Sequence, residues 1–539
     1  MITEPSVQPD VVRFAADRAQ RYIDAGLWKG LSLATCFDSW AGAYGPRRAV
    51  IDADGELTYS QLASRVRATA AGFADRGIEP GDRVVVHLPN TVGFVVVLFA
   101  LFECGAVPVL TLPAHRTREI VHLATLSEAT AYVTVDVDGG FDYRDLAREV
   151  LSSVPSISTV VIDGSPAEFT ALDDVRSAER AFDRVDSREV AVLLVSGGTT
   201  GLPKLIPRTH DDYEYNARAS AEVCALDADD VYLGVLPAAH NFPLACPGIL
   251  GALGTGATVV LTRDSSPDHT FGLIEKHGVT VTALVPALTQ LWCEATEWEV
   301  ADLSTLRLLQ VGGAKLSSEV AKLVQPSLGC TLQQVFGMAE GLLNYTRLDD
   351  PEDLLITTQG RPLSDFDEVR VVDETGHDVA AGETGELLTR GPYTINGYYR
   401  AAEQNRTAFT SDGFYRSGDQ VRRLDSGHLI VTGRLKDVIV RGGENVAADA
   451  LEDLLSTHPN VSGVAVVGVP DRDLGESVCA VVVPRGTPPG LPELRSFLIS
   501  AGTARNALPD RIELRSSFPM TAVGKVDKKS LIADIGSRS

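Results

Sequence analysis

The densest group of chemically useful side chains in this sequence is a short run rich in glycine and hydroxyl residues. It consists of Ser196, Gly197, Gly198, Thr199, Thr200, Gly201, Leu202, Pro203 and Lys204, directly after an apolar stretch. Glycines let the backbone turn its N–H groups toward an anion, the hydroxyls add donors and the lysine adds a cation. The run therefore predicts a phosphate-binding loop, with an ordinary turn as the alternative. It differs from a Walker A loop because Leu205 stands where that motif needs Ser or Thr.

Strand-like and helical segments alternate around this loop, which is typical of βαβ units with a parallel sheet and covering helices. The first such segments are a helix near 60–76, a strand at 83–88, an apolar helix at 92–102 and a strand at 106–110. Further strands are predicted at 190–195, 231–236, 258–261, 279–285 and 306–311, each followed by turn residues and a helical stretch. The loop is therefore expected at the end of a buried strand.

The pattern changes twice in the second half of the chain. From about residue 360, short β-type segments alternate with turns such as Asp373-Glu374-Thr375-Gly376, which predicts a smaller β-rich unit. After Lys436-Asp437 the pattern is α+β, with strands at 438–440, 464–467 and 478–483 and helices at 447–456 and 491–499. We predict an α/β fold with a large N-terminal domain at 1–435, made of βαβ-type subdomains plus the small β-rich unit. A small, mobile α+β C-terminal domain is expected at 436–539.

Composition and charge disfavour several classes of function. The 539 residues carry 72 acidic against 48 basic side chains, and the formal net charge of −24 argues against binding to nucleic acid and to anionic membranes. The longest apolar run, at 92–102, is shorter than the about 20 residues of a membrane-spanning helix. No export signal is visible at the N-terminus, and seven scattered cysteines without a CxxC pair favour reduced thiols over a zinc site. A cytoplasmic location is expected.

Several motifs, taken together in chain order, resemble those of the adenylate-forming superfamily, which includes acyl-CoA ligases, adenylation domains of nonribosomal peptide synthetases and luciferases. Besides the loop, these are Phe336-Gly337-Met338-Ala339-Glu340, Tyr415-Arg416-Ser417-Gly418-Asp419, Gly433-Arg434-Leu435-Lys436-Asp437 with Arg441-Gly442-Gly443-Glu444-Asn445, and the segment from Pro519 to Asp527 with Lys525. They span more than 300 residues, and the resemblance covers nearly the whole chain.

The resemblance implies attack of a substrate carboxylate on the α-phosphorus of ATP, which yields an acyl-adenylate and pyrophosphate. Two anions must meet, so positioning and charge neutralisation supply most of the catalysis. Lys525 is the implied central cation, Glu340 the implied Mg²⁺ ligand, and His240 is grouped with them as catalytic. Without the motif, Lys525 would be interpreted as a solvated lysine of the C-terminal tail. In this family the C-terminal domain rotates after adenylation, and Lys436 or Asp437 would be the hinge.

The resemblance also assigns an ATP site. Asp419 would accept hydrogen bonds from the ribose hydroxyls, Arg434 would reach ribose or phosphate, and Phe336 would stack on adenine. The other implied ATP-binding residues are Ser196, Gly197, Gly198, Thr199, Thr200, Gly201, Lys204, Gly312, Gly313, Ala314, Gly337, Met338 and Ala339. ATP and Mg²⁺ are accordingly the expected cofactors.

The segment from Pro237 to Gly248 closely resembles that of aryl acid-AMP ligases of siderophore biosynthesis, in which Asn241 would face the 2-hydroxyl of an aryl acid. The implied aryl acid-binding residues are Asn241, Phe242, Cys246, Gly313, Val335 and Leu343. Enzymes for salicylate tend to carry Cys and Leu at positions 246 and 343, and enzymes for 2,3-dihydroxybenzoate tend to carry Ser and Val. A thiol pairs weakly with a 3-hydroxyl and a leucine fills its space, so salicylate is expected to be preferred by roughly tenfold or more.

The expected partners are salicylate or a related aryl acid and a phosphopantetheinylated aryl carrier protein, in a mycobactin-type siderophore pathway. A 2,3-dihydroxybenzoate-AMP ligase and an aryl-CoA ligase remain alternatives with the same first step. A non-catalytic ATP-binding or carrier-binding scaffold is the alternative from another class, and joint retention of Lys525, Glu340, Asp419 and Arg434 argues against it. Plain core packing remains the alternative role for the cysteine and leucine of the pocket.

Overall fold

The computed structural model describes residues 10–196, 203–435, 438–441, 444–471, 474–501, 503, 507–521 and 524–537. Its helices, numbered in chain order, are α1 Ala16–Asp24, α2 Leu33–Tyr44, α3 Tyr59–Asp75, α4 Val92–Glu103, α5 Thr117–Ser127, α6 Tyr143–Ser153, α7 His210–Val223, α8 Asn241–Ala245, α9 Gly248–Thr255, α10 Pro267–His277, α11 Pro286–Ala295, α12 Ser318–Leu328, α13 Glu352–Thr357, α14 Ala402–Ala408, α15 Ala448–Ser456, α16 Leu491–Ser500 and α17 Lys528–Gly536.

The strands are β1 Arg48–Ile51, β2 Glu56–Thr58, β3 Arg83–His87, β4 Val107–Leu110, β5 Ala131–Val135, β6 Val137–Asp138, β7 Phe141–Asp142, β8 Thr159–Asp163, β9 Thr170–Ala171, β10 Val190–Val195, β11 Leu205–Thr209, β12 Val231–Gly234, β13 Thr258–Leu261, β14 Val281–Leu284, β15 Leu308–Gly312, β16 Thr331–Met338, β17 Gly341–Tyr345, β18 Arg361–Pro362, β19 Glu368–Val372, β20 Thr384–Arg390, β21 Tyr415–Arg423, β22 Leu429–Arg434, β23 Val438–Arg441, β24 Glu444–Ala447, β25 Val461–Asp471, β26 Gly475–Pro484 and β27 Arg511–Leu514.

Two large sheets carry most of the chain before residue 363. A nine-stranded sheet has the order β18-β17-β16-β15-β14-β12-β13-β1-β2 and is parallel except where its edge strands β2, β17 and β18 pair. A seven-stranded sheet has the order β11-β10-β4-β3-β5-β8-β9, with β10 and β11 antiparallel. The inner strands are nearly continuous apolar runs because helices cover both faces of parallel sheets. Helix α4 is buried along its whole length in the same core, which explains its apolar sequence.

Two smaller sheets follow. Strands β19, β20, β21 and β22 form an antiparallel sheet, and the five strands after residue 437 form another, in which β27 joins β26 in parallel. Helices α15 and α16 supply apolar side chains to one core of the latter sheet, and α17 supplies those of another. Among the described strands, none after residue 437 pairs with one before residue 436. The predicted α/β architecture, with a large N-terminal part and a small C-terminal part, is confirmed.

The structure corrects one local prediction. Strand β10 was expected to lead through the loop into a helix, but it pairs with antiparallel β11 before α7 begins. The second strand of this hairpin contains Pro207 and the fully buried Arg208, so its sequence lacks the apolar pattern of a buried strand. The predicted phosphate-binding loop is therefore the connection of a β-hairpin.

Two further predictions concern cysteines and membranes. All seven cysteines are free and buried, as predicted for reduced thiols. Within the described ranges, every helix is too short or too polar to cross a membrane.

Candidate active site

The two ends of the predicted phosphate-binding loop meet at the base of the β10–β11 hairpin. The Ser196 N–H donates to the Lys204 carbonyl at 2.9 Å, and the Lys204 N–H donates to Ser196 Oγ at 2.9 Å. The Lys204 ammonium lies 4.0 Å from the centre of the Tyr398 ring, in a cation–π contact. The remaining predicted members of the loop lie outside the described residues: Gly197, Gly198, Thr199, Thr200 and Gly201. Their contacts with phosphate stay a prediction.

A smooth surface of glycines lies at the carboxyl end of β15. A β-carbon added to Gly312 would lie 2.8 Å from the Val335 carbonyl oxygen and 3.0 Å from the Phe242 ring, so a side chain there would displace both neighbours. Gly313 has a φ of +84°, and an added β-carbon would lie 3.6 Å from Lys525 Cε. The structure thus brings together predicted nucleotide, aryl-acid and catalytic residues at this strand end.

The predicted motif from Phe336 to Glu340 forms the end of β16 and the turn into β17. Phe336 and Met338 pack against the apolar core of the β19–β22 sheet. The carboxylate of Glu340 accepts a hydrogen bond from the Tyr398 hydroxyl at 2.8 Å, and its carbonyl accepts one from the Ile395 N–H at 2.8 Å. The turn therefore holds Glu340 close to the tyrosine that Lys204 also contacts. Between the ends of the motif, Gly337 and Met338 belong to β16 and Ala339 lies in the turn.

Asp419 and Arg434 face each other across the antiparallel strands β21 and β22. Arg434 Nε lies 2.8 Å from Asp419 Oδ1, and the carboxyl group is almost fully buried. Burial raises the pKa of Asp419 above its usual value, while the positive charges of Arg434 and Lys525 oppose this shift. The Arg434 side chain is half exposed. Ala314, the last residue of the predicted adenine surface, is exposed as well.

Lys525 reaches this region from a short turn near the C-terminus. The Lys525 N–H donates to Thr521 Oγ1 at 3.1 Å, and the Thr521 N–H donates to the Lys525 carbonyl at 2.6 Å. An added β-carbon on Gly524 would lie 3.3 Å from Val285 Cγ2, so this turn packs directly on the N-terminal part of the chain. Lys315 on that part also pairs with Asp453 of α15 at 2.6 Å. The structure therefore has the C-terminal part closed over the strand ends.

The enclosed position changes the protonation of two candidate catalytic groups. Burial and the nearby charge of Arg434 together lower the pKa of Lys525 to about 8, against the opposing attraction of Asp419 and Glu340. Burial together with the Lys525 charge lowers the pKa of His240 to about 4. His240 Nδ1 accepts the Phe242 N–H at 3.2 Å at the start of α8, so the neutral ring carries its proton on Nε2.

The predicted aryl-acid residues surround a buried, uncharged group of side chains. Asn241 Oδ1 accepts a hydrogen bond from the Tyr213 hydroxyl at 3.0 Å, and Asn241 Nδ2 donates to Cys246 Sγ at 3.4 Å. Asn216 Nδ2 lies 3.9 Å from the same sulfur. Burial raises the pKa of Cys246 to about 12, so the thiol stays protonated at neutral pH.

Leu343 of β17 pairs with Gly337 of β16 and is 2% exposed. A β-carbon on Gly337 would lie 2.4 Å from Leu343 Cδ2, so the leucine side chain covers that glycine. Val335, two residues before Gly337 on β16, pairs with Gly312 of β15, so β16 lies between the strand of Leu343 and the glycines. Leu343 and Val335 are both buried, and their contact with an aryl acid beside Asn241 stays a prediction.

Three residues of the site were missed by sequence reasoning. Tyr398 holds Glu340 and contacts Lys204, and Tyr213 holds Asn241. Arg208 is fully buried, donates from Nε to Asp212 at 2.7 Å and from Nη1 to the Ala339 carbonyl at 3.1 Å, and so ties β11 to the turn that carries Glu340. A lone arginine beside a proline in a short apolar run was the one signal available for it.

Two predicted residues are not placed. Lys436 and Asp437, the expected hinge, lie outside the described residues. Phe336 is partly buried against the small antiparallel sheet, so its predicted stacking on adenine stays untested.

Comparison with known proteins tests the family that the motifs predict. Residues 37–399 match the family described as AMP-binding enzyme, and residues 450–525 match the AMP-binding enzyme C-terminal domain. The chain is 51% identical to the salicyl-AMP ligase / salicyl-S-ArCP synthetase of Mycobacterium tuberculosis, over 97% of this chain and 94% of that protein. It is 50% identical to the 2,3-dihydroxybenzoate-AMP ligase of Bacillus subtilis, over 95% of each.

Among solved structures, the apo structure of MbtA from Mycobacterium smegmatis is 53% identical, with a TM-score of 0.78 over 98% of this chain and all of that one. The matched family region covers well over half of the 539 residues and includes Glu340, Gly312, Gly313 and the predicted aryl-acid residues. The chain belongs to the AMP-binding, adenylate-forming enzyme family.

Proposed function

We propose that this chain activates salicylate as salicyl-AMP with release of pyrophosphate and then transfers the salicyl group to the phosphopantetheine thiol of an aryl carrier protein in siderophore biosynthesis. The observation that supports this proposal is the buried, hydrogen-bonded amide and thiol of Asn241 and Cys246, in a structure that also buries Leu343 and brings Lys525 to Gly313. An amide in place of a carboxylate at position 241 favours an aryl acid over an α-amino acid, whose ammonium needs a counter-charge.

The nucleotide fits the geometry of the strand ends. Gly313 and Ala314 are exposed and carry little or no side chain where a flat base would lie, and Asp419 offers two carboxylate oxygens to a ribose diol. Lys204 brings a positive charge to the mouth of the loop. These contacts support ATP as the co-substrate whose phosphates meet the loop.

Glu340 fits the hard oxygen ligand that Mg²⁺ takes alongside phosphate oxygens. Among the described residues, no group of three or more His, Cys, Asp or Glu side chains could hold a metal ion without other ligands. Mg²⁺ would neutralise phosphate charge when bound. Glu340 is oriented for this by Tyr398, whose hydroxyl occupies one carboxylate oxygen, Oε1. We propose that the chain uses one carboxylate and the nucleotide itself to hold the ion.

Lys525 supplies the cation between the two reacting anions. A carboxylate oxygen of salicylate forms a bond to the α-phosphorus as the bond to the pyrophosphate oxygen breaks, and negative charge grows on the phosphoryl oxygens. A protonated ammonium near Gly313 stabilises that charge. His240 is neutral at physiological pH and carries its proton on Nε2, so it acts as a hydrogen-bond donor without adding charge.

In the second step the carrier thiol attacks the acyl carbon. The C–S bond forms, the bond from the acyl carbon to AMP breaks, and the thiol proton is released. We propose a domain boundary at 435/436 and a rotation at Lys436 or Asp437 that withdraws Lys525 and opens the acyl group to the thiol. The separation of the sheets on either side of residues 436 and 437 supports this boundary.

ATP–pyrophosphate exchange with salicylate, 2,3-dihydroxybenzoate, benzoate, coumarate and amino acids tests the proposal. We expect the highest kcat/KM for salicylate, by roughly tenfold over 2,3-dihydroxybenzoate. Higher kcat/KM for 2,3-dihydroxybenzoate or an amino acid would overturn the substrate assignment. Absence of exchange with every acid would support a scaffold. Transfer of labelled salicylate to a phosphopantetheinylated carrier, compared with transfer to coenzyme A, separates the carrier-dependent enzyme from an aryl-CoA ligase.

A further inference from the structure

A buried tyrosine contacts the main chain of the residue that forms the selective wall of the pocket. Tyr393 follows β20, and its side chain is 0% exposed. Its hydroxyl oxygen accepts a hydrogen bond from the Leu343 N–H at 3.2 Å. The Leu343 carbonyl accepts one from the Leu363 N–H at 2.8 Å. The N–H of Leu343 is thus hydrogen-bonded to a tyrosine hydroxyl, where a strand residue usually bonds to the carbonyl of a neighbouring strand.

The orientation of this hydroxyl is set by Asp367. The Tyr393 hydroxyl donates to Asp367 Oδ2, which also accepts the Ser364 N–H at 3.0 Å. Burial raises the pKa of Asp367 to about 7. The ionised form of the carboxylate only accepts hydrogen bonds, so in that form the phenol proton points to Asp367 and a phenol lone pair remains for Leu343. The carboxylate is confined on its other side, because a β-carbon on Gly391 would lie 2.2 Å from Asp367 Oδ1. Leu343 therefore holds the Tyr393 hydroxyl, while Ser364 and Gly391 hold the Asp367 carboxylate.

The surrounding loop is bonded into the same group. The Tyr215 hydroxyl donates to Ser364 Oγ at 2.7 Å, and the Phe366 N–H donates to that oxygen at 3.2 Å. The rings of Tyr215 and Tyr393 lie 6.0 Å apart. Tyr215 belongs to α7, the helix that also carries Tyr213 and Asn216 of the aryl-acid pocket. The contacts of Leu343 thus lead back to the opposite wall of that pocket.

From these contacts we propose that Tyr393 and Asp367 are positioning residues for substrate selectivity: they hold the Leu343 main chain so that its side chain excludes a 3-hydroxyl on the aryl acid. The proposal rests on the proposed function, because it assumes that Leu343 faces the ring. Neither residue touches the substrate. Their effect is on the place of the leucine side chain relative to Asn241 and Cys246.

The test compares Tyr393→Phe and Asp367→Asn with wild type in exchange assays with salicylate and 2,3-dihydroxybenzoate. We expect Tyr393→Phe to lower the salicylate to 2,3-dihydroxybenzoate ratio of kcat/KM by roughly fivefold, mainly through a lower KM for 2,3-dihydroxybenzoate. Asp367→Asn keeps an acceptor oxygen for the phenol, so it should retain most of the selectivity. Asp367→Ala should resemble Tyr393→Phe, and the double variant should add little, because both changes remove one linked contact.

Tyr143→Phe is the matched control. Tyr143 is also buried, and its hydroxyl donates to the Pro113 carbonyl at 2.7 Å in the seven-stranded sheet region. It should leave the substrate ratio unchanged. Leu343→Val is the reference variant, because it shortens the side chain that is proposed to exclude the 3-hydroxyl. If Leu343→Val changes the ratio while Tyr393→Phe and Asp367→Ala both leave it at the wild-type value, the inference is wrong and the proposed function stands.

Wild type itself tests the proposed function separately, since a preference for another acid would contradict that function whatever the variants do. If Tyr393→Phe does not fold, Asp367→Ala decides the question by the same ratio. If Asp367→Ala also fails to fold, the salicylate to 2,3-dihydroxybenzoate ratio of kcat/KM is measured in Asp367→Asn and Tyr215→Phe. A wild-type ratio in Asp367→Asn together with a changed ratio in Tyr215→Phe supports the inference. A wild-type ratio in both variants overturns it.

Discussion

The aryl-acid pocket and the nucleotide side of this site are built in different ways. The pocket is uncharged and buried, and its polar atoms bond to one another through Asn241, Tyr213 and Cys246. The predicted nucleotide side carries the ionisable groups Asp419, Arg434 and Lys525, the last of which comes from the C-terminal part of the chain. In the proposed function, selectivity therefore depends on contacts within the N-terminal part of the chain, whereas the catalytic charge depends on a lysine from the C-terminal part.

Removal of the Lys525 charge should show the largest difference between the nucleotide side and the aryl-acid side of the site. We expect Lys525→Ala to lower the adenylation rate by about a thousandfold or more, because the lost charge acts on the transition state in a site shielded from water. Binding of salicylate should change little, since the pocket contacts are intact. Pyrophosphate exchange measures the first quantity and calorimetric titration the second. Lys529→Ala, an exposed neighbour, should behave as wild type; normal exchange in Lys525→Ala would remove the proposed role.

The acidity of the same lysine predicts a pH dependence. Its pKa in the free enzyme is lowered to about 8, so the required cation is present below that pH and is lost above it. The value of kcat/KM for ATP should fall about tenfold for each pH unit above that point. The pH above which kcat itself falls should be higher, because the bound anions favour the protonated form of Lys525. A pH-independent kcat/KM between 7 and 10 would contradict this.

On the pocket side, Cys246→Ser should raise the relative kcat/KM for 2,3-dihydroxybenzoate by about three- to tenfold, because a hydroxyl can pair with a 3-hydroxyl where a thiol pairs weakly. The rate of adenylation of bound salicylate should stay within about twofold. Cys330→Ser, another buried thiol in a separate core, is the control. Equal ratios in the two variants would mean that Cys246 does not face the ring.

The smallest effect is expected at the contact between the two parts. Lys315 and Asp453 are partly exposed, and such ion pairs contribute about 0 to 1 kcal/mol. Lys315→Ala should therefore lower the adenylation rate by at most about fivefold, with a loss of sensitivity to salt. Lys322→Ala, which removes an exposed pair within α12, should not change the rate. A thousandfold loss in Lys315→Ala would show that the lysine has a direct part in the chemistry.

The main elements of the fold were predictable from sequence because buried parallel strands have nearly continuous apolar sequences. Strands β10 and β13 begin and end where predicted. Strand β11 was not predicted, since Pro207 and a buried arginine interrupt its pattern. Strands β25 and β26 extend beyond the predicted segments because their long antiparallel pairing continues past the apolar centre.

The candidate site was predictable where a motif is contiguous in sequence and not where contacts are distant. Glu340 and Asp419 were found within motifs, but Tyr398 lies 58 residues from the carboxylate it holds. Tyr393 meets Leu343 across 50 residues, through a hydroxyl that no periodicity marks. Such contacts depend on how strands from different sheets approach one another, which local sequence patterns do not record.

The β16–β17 hairpin carries Glu340 at its turn and Leu343 three positions later, so in the proposed function one element serves both the chemistry and the choice of acid. A change that moves Leu343 to admit a larger ring also moves the carboxylate. We therefore expect evolutionary change of substrate through this hairpin to reduce turnover. Position 246, which lies on a separate segment, offers a route to new substrates with a smaller loss of rate.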